Sequence, residues 1–209
     1  VTGIEIFDGY SLTTVKDNAG NSHVIKAKYI VDGSGYGRVI PRLFGLEKQS
    51  TMKQRKTIFG HVTDPLRSEA FEPNRIIIYV HNPTTWIWVI PFSTGITSLG
   101  YVGDVEFFEA HKGTLMEKFK SLIASEPEIS VRFGNSELVW DEPKTLESWS
   151  VSVESFYGKG FVLTGNVTEF LDPVFSSGVT LAAVSAQMAA KLVIRELKGE
   201  QVNRSEEHT

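Results

Sequence analysis

The stretch Leu163–Ala190, LTGNVTEFLDPVFSSGVTLAAVSAQMAA, predicts a strand, a turn and a long helix in that order. The apolar run Phe161–Thr164 is typical of a buried strand, and Gly165-Asn166 marks the turn that follows it. Ser176-Ser177-Gly178 marks the start of the helix, because serine favours the N-cap position. The first N–H groups of a helix lack intrahelical partners and attract negative charge. We therefore predict a site for an anion, or for a ring that becomes anionic on reduction; a plain capped helix is the alternative.

The composition excludes several classes of function. The chain has 209 residues, 41% of them hydrophobic and 22% charged, which is typical of a globular protein. A formal net charge of −4 without a Lys/Arg run argues against a nucleic-acid partner. The absence of cysteine excludes disulfides and thiolate chemistry, and five scattered histidines show no metal-ligand spacing, so we expect no metal site. Polar residues interrupt the apolar run Val179–Ile194, so we expect no membrane span and a cytoplasmic protein.

The opening of the chain is rich in strand patterns. The runs Thr2–Phe7 and Ser11–Val15 flank a turn at Asp8-Gly9-Tyr10, which predicts a hairpin. A third strand is predicted over Val24–Asp32. The next segment, Arg38–Leu46, predicts a short helix that ends at its glycine.

The middle of the chain, from about residue 50 to 155, is mostly β in pattern. One helix is well marked there, because Thr114-Leu-Met-Glu117 forms a capping box and Pro127 ends the apolar periodicity. A largely antiparallel sheet with a single helix across one face is therefore expected. The predicted strands are Thr57–Val62, Arg75–Val80, Thr85–Ile90, Thr97–Val102, Ser136–Trp140 and Trp149–Glu154.

The last part of the chain returns to an alternation of strand and helix. The helix is predicted from Gly178 to about Leu197, and its apolar positions at helical spacing are expected to face the core. These positions are Leu181, Val184, Met188 and Leu192. We therefore expect an α+β or α/β fold of two domains: residues 1–46 with 156–199, and residues 47–155. Residues 200–209 are expected to be a polar tail.

Three motifs together resemble the flavin-dependent halogenases and related FAD-dependent monooxygenases. The segment around Gly165 and the Asp172-Pro173…Ser-Ser-Gly turn is similar to the second flavin-contacting motif of that family. Thr85-Trp86-Ile87-Trp88-Val89-Ile90-Pro91 reproduces the WxWxIP signature of the halogenase branch. In that family the chain leaves the flavin domain and later returns to it. The stretch at this return is similar to Tyr29-Ile30-Val31-Asp32-Gly33-Ser34-Gly35. The three motifs stand in the family's order.

The resemblance implies a cofactor and a fold. It implies part of a FAD-binding, Rossmann-like domain packed on a mostly antiparallel substrate domain. The family's opening GxGxxG unit, which holds the ADP half of FAD, is not present in this sequence, so we expect the central and C-terminal portion of a larger flavoprotein. The resemblance assigns cofactor binding to Asp32, Gly33, Gly165, Asn166, Asp172, Pro173, Ser177 and Gly178.

Two residues differ from the family's pattern and indicate which branch of the family the sequence resembles. Asn166 stands where the family usually has an aspartate that accepts hydrogen bonds from the ribityl chain, so weaker flavin binding is expected. Phe175 stands where tryptophan halogenases have a catalytic glutamate, and an apolar side chain cannot assist proton removal. The segment 173–179, PVFSSGV, is more similar to the branch that acts on phenols and pyrroles. In the halogenase branch the same turn is associated with halide, so Ser177 and Gly178 become candidate chloride contacts.

The tryptophan-rich strand suggests where a substrate binds. Trp86, Trp88 and Ile90 lie on one face of the predicted strand, and with Phe175 they are candidates for lining a substrate tunnel. A buried sheet face has the same pattern, so core packing is the alternative. Arg38 and Arg42 are either phosphate contacts or solvated surface residues.

The preferred hypothesis is the C-terminal portion of a FAD-dependent oxidoreductase, halogenase-like or monooxygenase-like, that acts on an aromatic or other apolar small molecule. The isolated chain is expected to be inactive, and a separate flavin reductase is an expected partner. The family's catalytic lysine would lie upstream of this sequence. A reductase of the geranylgeranyl reductase type, which also has a Trp-rich strand ending in Pro, is one alternative. A non-catalytic, β-rich binding domain is the other.

Overall fold

The computed structural model describes residues 1–70, 72–200 and 202, and short antiparallel strands dominate it. The predicted tail lies outside the described residues apart from 200 and 202. The α+β class is confirmed. The helices are α1 (Val39–Phe44), α2 (Val105–Ala110), α3 (Leu115–Ser125), α4 (Pro127–Phe133) and α5 (Gly178–Leu197). The strands are β1 (Gly3–Ile6), β2 (Ser11–Lys16), β3 (Ser22–Ala27), β4 (Ile30–Asp32), β5 (Glu47–Lys48), β6 (Lys56–Thr63), β7 (Ile77–Asn82), β8 (Thr85–Pro91), β9 (Ile96–Gly103), β10 (Lys144–Glu147), β11 (Ser152–Val153), β12 (Tyr157–Gly158) and β13 (Phe161–Leu163).

The chain divides into two compact units. Unit 1 consists of Val1–Met52 and Ser150–Thr209, and unit 2 consists of Lys53–Trp149. The boundaries expected from the sequence, after residues 46 and 155, lie a few residues from these. Each unit has its own core.

Unit 1 contains a parallel pair of strands from the two ends of the chain. Strand β13 runs parallel to β4, with Phe161 opposite Ile30 and Leu163 opposite Asp32, so these segments of residues 1–46 and 156–199 share one sheet. Strand β12 completes this small sheet on the other side of β13, and β1, β2 and β3 form a separate antiparallel sheet. The predicted continuous strand to Asp32 is wrong, because β3 ends at Ala27 and β4 begins at Ile30. The core of unit 1 is built from Ile40, Val153, Phe161, Leu163 and Val167.

Unit 2 is a five-stranded antiparallel sheet in the order β10-β6-β9-β8-β7. Its core combines one face of the sheet with residues of α2, α3 and α4. The expected single helix is therefore wrong. Pro127 ends α3 but also begins α4, because proline at the first helical position lacks only an N–H that would have no partner there. The predicted strand Ser136–Trp140 is also wrong, and only Leu138 makes an isolated bridge, to Val62.

Helix α5 buries only part of the face predicted, since Leu192 is buried and Met188 is half-buried, as expected. Ala189, Leu192 and Val193 are buried, whereas Leu181 and Val184 are 47% and 49% exposed. The smaller side chains of the helix instead face the turn after β13, since the Gly165 N–H donates to Ser185 Oγ. Within the described residues, α5 is also the one helix long and apolar enough to cross a membrane. Of its apolar 18-residue stretch, 17% is buried. Length and composition alone are weak evidence for a span, so the expected absence of one stays a prediction.

Candidate functional site

Two cavities of unit 1 meet at the turn between β13 and α5. The smaller has a volume of about 270 Å³ and the larger about 590 Å³. Five residues line both: Gly165, Asn166, Phe170, Pro173 and Gly178. The sequence predicted four of these five as cofactor contacts. Because a shared wall joins the cavities, a single elongated ligand can reach both.

The turn after β13 is shaped by Gly165. Its φ of +64° lies in the left-handed region, which favours glycine. A Cβ atom at this position would lie 3.1 Å from the Cβ of Ala182 on α5. The glycine therefore allows the 165–167 turn to approach the helix closely, and this approach brings the next residue to the cavities.

Asn166 is the polar residue at the junction of the cavities. Its side chain is half-buried, and within the described residues no group forms a hydrogen bond with it. An amide can both donate and accept. Asn166 is therefore placed to bind a ligand through hydrogen bonds that carry no charge.

Asp172 and Pro173 build the next turn. The Val174 N–H donates to Asp172 Oδ1 over 3.2 Å, so this carboxylate caps the short 3₁₀ turn Pro173–Phe175. Asp172 therefore forms a turn, and the residue also lines the smaller cavity. The turn ends at Ser176 with a φ of 52°, and Phe175 is 88% exposed.

The start of helix α5 lies at the wall of both cavities, which Gly178 lines. Ser177 is the N-cap residue, but its side chain makes no capping hydrogen bond. The sequence-based expectation of a serine-capped helix is therefore wrong in this detail. An uncapped start leaves the first-turn N–H groups available to a ligand, and the helix dipole favours negative charge there. Gly178 opens the helix, and a Cβ atom there would meet nothing within 4 Å.

The carboxylate of Asp32 accepts hydrogen bonds from the backbone, and the residue lines neither cavity. It is 6% exposed, and its two carboxylate oxygens each accept a hydrogen bond over 2.8 Å, from the N–H groups of Ser34 and Ile40. The side chain thus fixes the turn that follows β4. Gly33, the next residue in the predicted set, lines the larger cavity. The predicted role of Asp32 as a direct cofactor contact is not supported by this geometry.

Two residues outside the predicted set also build the site. Arg38 is buried rather than solvated or phosphate-facing: its guanidinium donates to Glu47 Oε1 and to the carbonyls of Val167 and Ser152. It thereby holds the 165–167 turn to distant segments of unit 1. Tyr36 stacks on Phe170, with ring centroids 5.8 Å apart, and burial raises the pKa of its phenol.

The tryptophan-rich strand presents its predicted face in unit 2. Trp86, Trp88 and Ile90 lie on the side of the sheet opposite the helices, whereas Ile87 and Val89 enter the core. Trp86 is buried and Trp88 is half-buried, with ring centroids 6.0 Å apart. Phe175 belongs to unit 1, so the predicted tunnel residues are divided between the two units.

Gly100 leaves the space that the ring of Trp88 occupies. The ring lies against Gly100 on the neighbouring strand, where any Cβ atom would overlap the indole. The Trp88 Nε1–H donates to Ser98 Oγ over 3.0 Å, which fixes the orientation of the ring. The other indole donor, Trp86 Nε1, is buried and has no hydrogen-bond partner in the described part of the chain.

The comparisons with known proteins agree with these motifs. The family model described as tryptophan halogenase matches residues 13–206. The 1H-pyrrole-2-carbonyl-(peptidyl-carrier protein) chlorinase of Pseudomonas fluorescens is 30% identical over 97% of this chain and 47% of its own length. A crystal structure of a flavoprotein/dehydrogenase from Cytophaga hutchinsonii is 48% identical, with a TM-score of 0.93 over 99% of this chain and 50% of that one.

A third relative extends the comparison to a structure of a halogenase. The myxobacterial chondrochloren halogenase, a FAD-dependent halogenase, is 26% identical, with a TM-score of 0.85 over 98% of this chain and 48% of that one. The chain thus spans about half the length of the relatives it matches. Since the family model covers most of the sequence, the chain belongs to the tryptophan halogenase family.

Proposed function

We propose that this chain is part of a longer FAD-dependent oxidoreductase of the halogenase type, called the parent protein below. The observation that carries the proposal is the convergence of the predicted turn residues on two cavities that share a wall. The relatives named above are flavoproteins or halogenases, and they are twice as long as this chain. We propose that unit 1 contributes one part of the flavin site and unit 2 contributes substrate contacts.

The residues of unit 1 fit a flavin. Phe170, Leu171 and Pro173 offer apolar walls to a planar ring, and Asn166 offers hydrogen bonds to a polyol chain. The free N–H groups at the start of α5 suit the negative charge of a reduced ring. Bound FAD would supply the redox chemistry, and the protein would supply binding, orientation and electrostatics.

Chloride is a candidate second ligand at the start of α5. Gly178 has open space on its Cβ side, so a small anion can approach the backbone N–H groups there. Ser177, the other predicted contact, lines the smaller cavity.

The proposed substrate is an aromatic or other apolar small molecule. Trp86, Trp88 and Ile90 are the proposed contacts in unit 2, and Phe175 is proposed for unit 1. The apolar side chain of Phe175 disfavours the glutamate-assisted chemistry of tryptophan halogenases. A separate flavin reductase is the proposed source of reduced flavin, and a cytoplasmic location stays a prediction from the sequence.

A flavin-dependent reaction without halogenation is the second candidate function. The 48% identical structure is described as a flavoprotein/dehydrogenase, whereas the chlorinase is only 30% identical. Chloride-dependent product formation by the parent protein, followed by mass spectrometry, distinguishes the two.

The experiment that tests flavin binding compares the isolated chain with the parent protein. The chain lacks a GxGxxG cradle for the pyrophosphate, so we expect it to bind FAD more weakly than about 1 μM, or −8.2 kcal/mol. The parent protein should bind more tightly. Titration monitored by flavin fluorescence measures both affinities. A parent protein without flavin affinity would overturn the proposal, and submicromolar binding by the isolated chain would contradict the assignment of an incomplete site.

A further inference from the structure

Six aromatic rings form a continuous row on the open face of the sheet in unit 2. Neighbouring ring centroids are 5.0 Å apart for Phe92 and His61, 4.2 Å for His61 and Trp140, and 5.9 Å for Trp140 and Phe59. They are 5.7 Å apart for Phe59 and Trp88, and 6.0 Å for Trp88 and Trp86. We call these six residues the aromatic row.

The aromatic row is not the core of unit 2. The core lies on the other face of the sheet, where Ile58, Ile87 and Leu99 pack with the helices. In an antiparallel sheet with one face on the core, the second face is ordinarily polar. Here that face carries rings, and all of them except Trp86 are only half-buried within the chain. Rings that keep exposed surface are available to stack on a planar molecule.

Within the aromatic row, only the histidine can accept a hydrogen bond in the plane of its ring. Phenylalanine has no polar atom, and an indole is a donor only. Neutral imidazole carries one donor and one acceptor nitrogen. In the described part of the chain, neither ring nitrogen of His61 has a hydrogen-bond partner. The residue is held by other means: its carbonyl accepts from the Val139 N–H, and its ring lies between Trp140 and Phe92.

We propose that His61 contacts the substrate and accepts a hydrogen bond from its ring N–H or O–H group. The substrate ring would stack along the aromatic row beside Trp140 and Phe59, with its donor directed at the imidazole. This inference rests on the proposed function, because it assigns the substrate of that function to this face. It gives His61 a role in selecting rings that carry a donor over rings that lack one.

The test uses two probes that differ in one hydrogen-bond donor. Pyrrole-2-carboxamide carries a ring N–H, and N-methylpyrrole-2-carboxamide does not. Their affinities for the full 209-residue chain are measured by saturation-transfer NMR, which requires no flavin. We expect the chain to prefer the N–H probe by about 2- to 12-fold, the range for one net hydrogen bond. His61→Phe, which keeps a ring but has no acceptor, should bind both probes equally.

Two further variants make the result specific. His61→Gln retains an acceptor and should restore part of the preference, even if the phenylalanine variant folds poorly. His23→Phe makes the same exchange at an exposed position of unit 1 and should leave the preference unchanged. A preference that survives in a folded His61→Phe variant overturns the proposal, and so does a chain that binds neither probe or binds both equally. Loss of FAD binding by the parent protein would instead count against the proposed function and would leave this preference intact.

Discussion

Replacing Gly178 by valine tests whether the start of α5 faces a ligand. Gly178 lines both cavities, and a Cβ atom there would meet no protein atom within 4 Å. Its backbone is not in the left-handed region, so a larger residue introduces no backbone strain. Glycine is also among the poorest helix formers, so valine does not weaken the helix. Folding stability should therefore change by less than about 0.5 kcal/mol.

Ligand binding should change much more than stability. The three added carbon atoms project into space that the flavin or chloride is proposed to occupy. Overpacking of a filled site costs about 1–3 kcal/mol. At 1.4 kcal/mol for each factor of ten, the affinity of the parent protein for FAD should fall about 5- to 150-fold. Turnover should fall with it, whereas the thermal midpoint should stay within about 2 °C.

The assay compares flavin affinity, thermal midpoint and turnover across matched variants of the parent protein. Gly178→Ala adds one carbon atom and should show a smaller loss of affinity. Ala186→Val adds bulk at an exposed position of the same helix and should leave affinity unchanged. Ser177→Ala should be mild as well, because its side chain makes no capping bond and its backbone N–H remains. If Gly178→Val binds FAD and turns over like the wild type, this turn does not belong to the active site.

Three further predictions concern folding. Gly165→Ala should destabilise unit 1 by about 1–2 kcal/mol in urea unfolding, since φ is +64° and the new Cβ lies 3.1 Å from Ala182; an unchanged midpoint would contradict the close approach of turn and helix. Arg132→Leu should lower the free energy of unfolding by about 3–5 kcal/mol, because it leaves the fully buried carboxylate of Asp64 without its ion pair. The control Arg75→Leu removes an exposed ion pair and should lower it by at most about 1 kcal/mol. Tyr101→Phe should stabilise unit 2 by about 1 kcal/mol, since the buried hydroxyl has no partner among the described residues. Burial also raises the pKa of Tyr101, so above about pH 10, where the unfolded tyrosine ionises, the wild type should lose more stability than the variant; equal losses in both would refute this.

Features set by neighbouring residues were predictable from the sequence. The capping box at Thr114 forms as predicted, with hydrogen bonds in both directions between Thr114 and Glu117. Trp86 and Trp88 share a face because side chains alternate along a strand. The positions of Gly165, Asn166 and Gly178 followed from turn and helix-start signals, and these residues do line the cavities.

Features set by distant contacts were not predictable. Arg38 bonds to carbonyls more than a hundred positions away in the sequence, and its local pattern resembles a surface arginine. The buried face of α5 is selected by the close approach of the 165–167 turn, so helical periodicity alone assigned Leu181 and Val184 wrongly. His61 has only the pattern of an ordinary strand residue, and its aromatic neighbours Phe92 and Trp140 come from separate parts of the chain.

The charges around the two cavities decide where an anion would bind. The smaller cavity is lined by two carboxylates, those of Glu169 and Asp172, and both repel an anion. The residues of the larger cavity carry no charged side chain and include Gly178 at the start of α5. Because the helix dipole acts on both cavities while the repulsion acts mainly on one, an anion is favoured on the side of the larger cavity. Chloride is therefore expected beside the backbone of Gly178 rather than beside the Ser177 hydroxyl, and the removal of that hydroxyl should leave halide affinity intact.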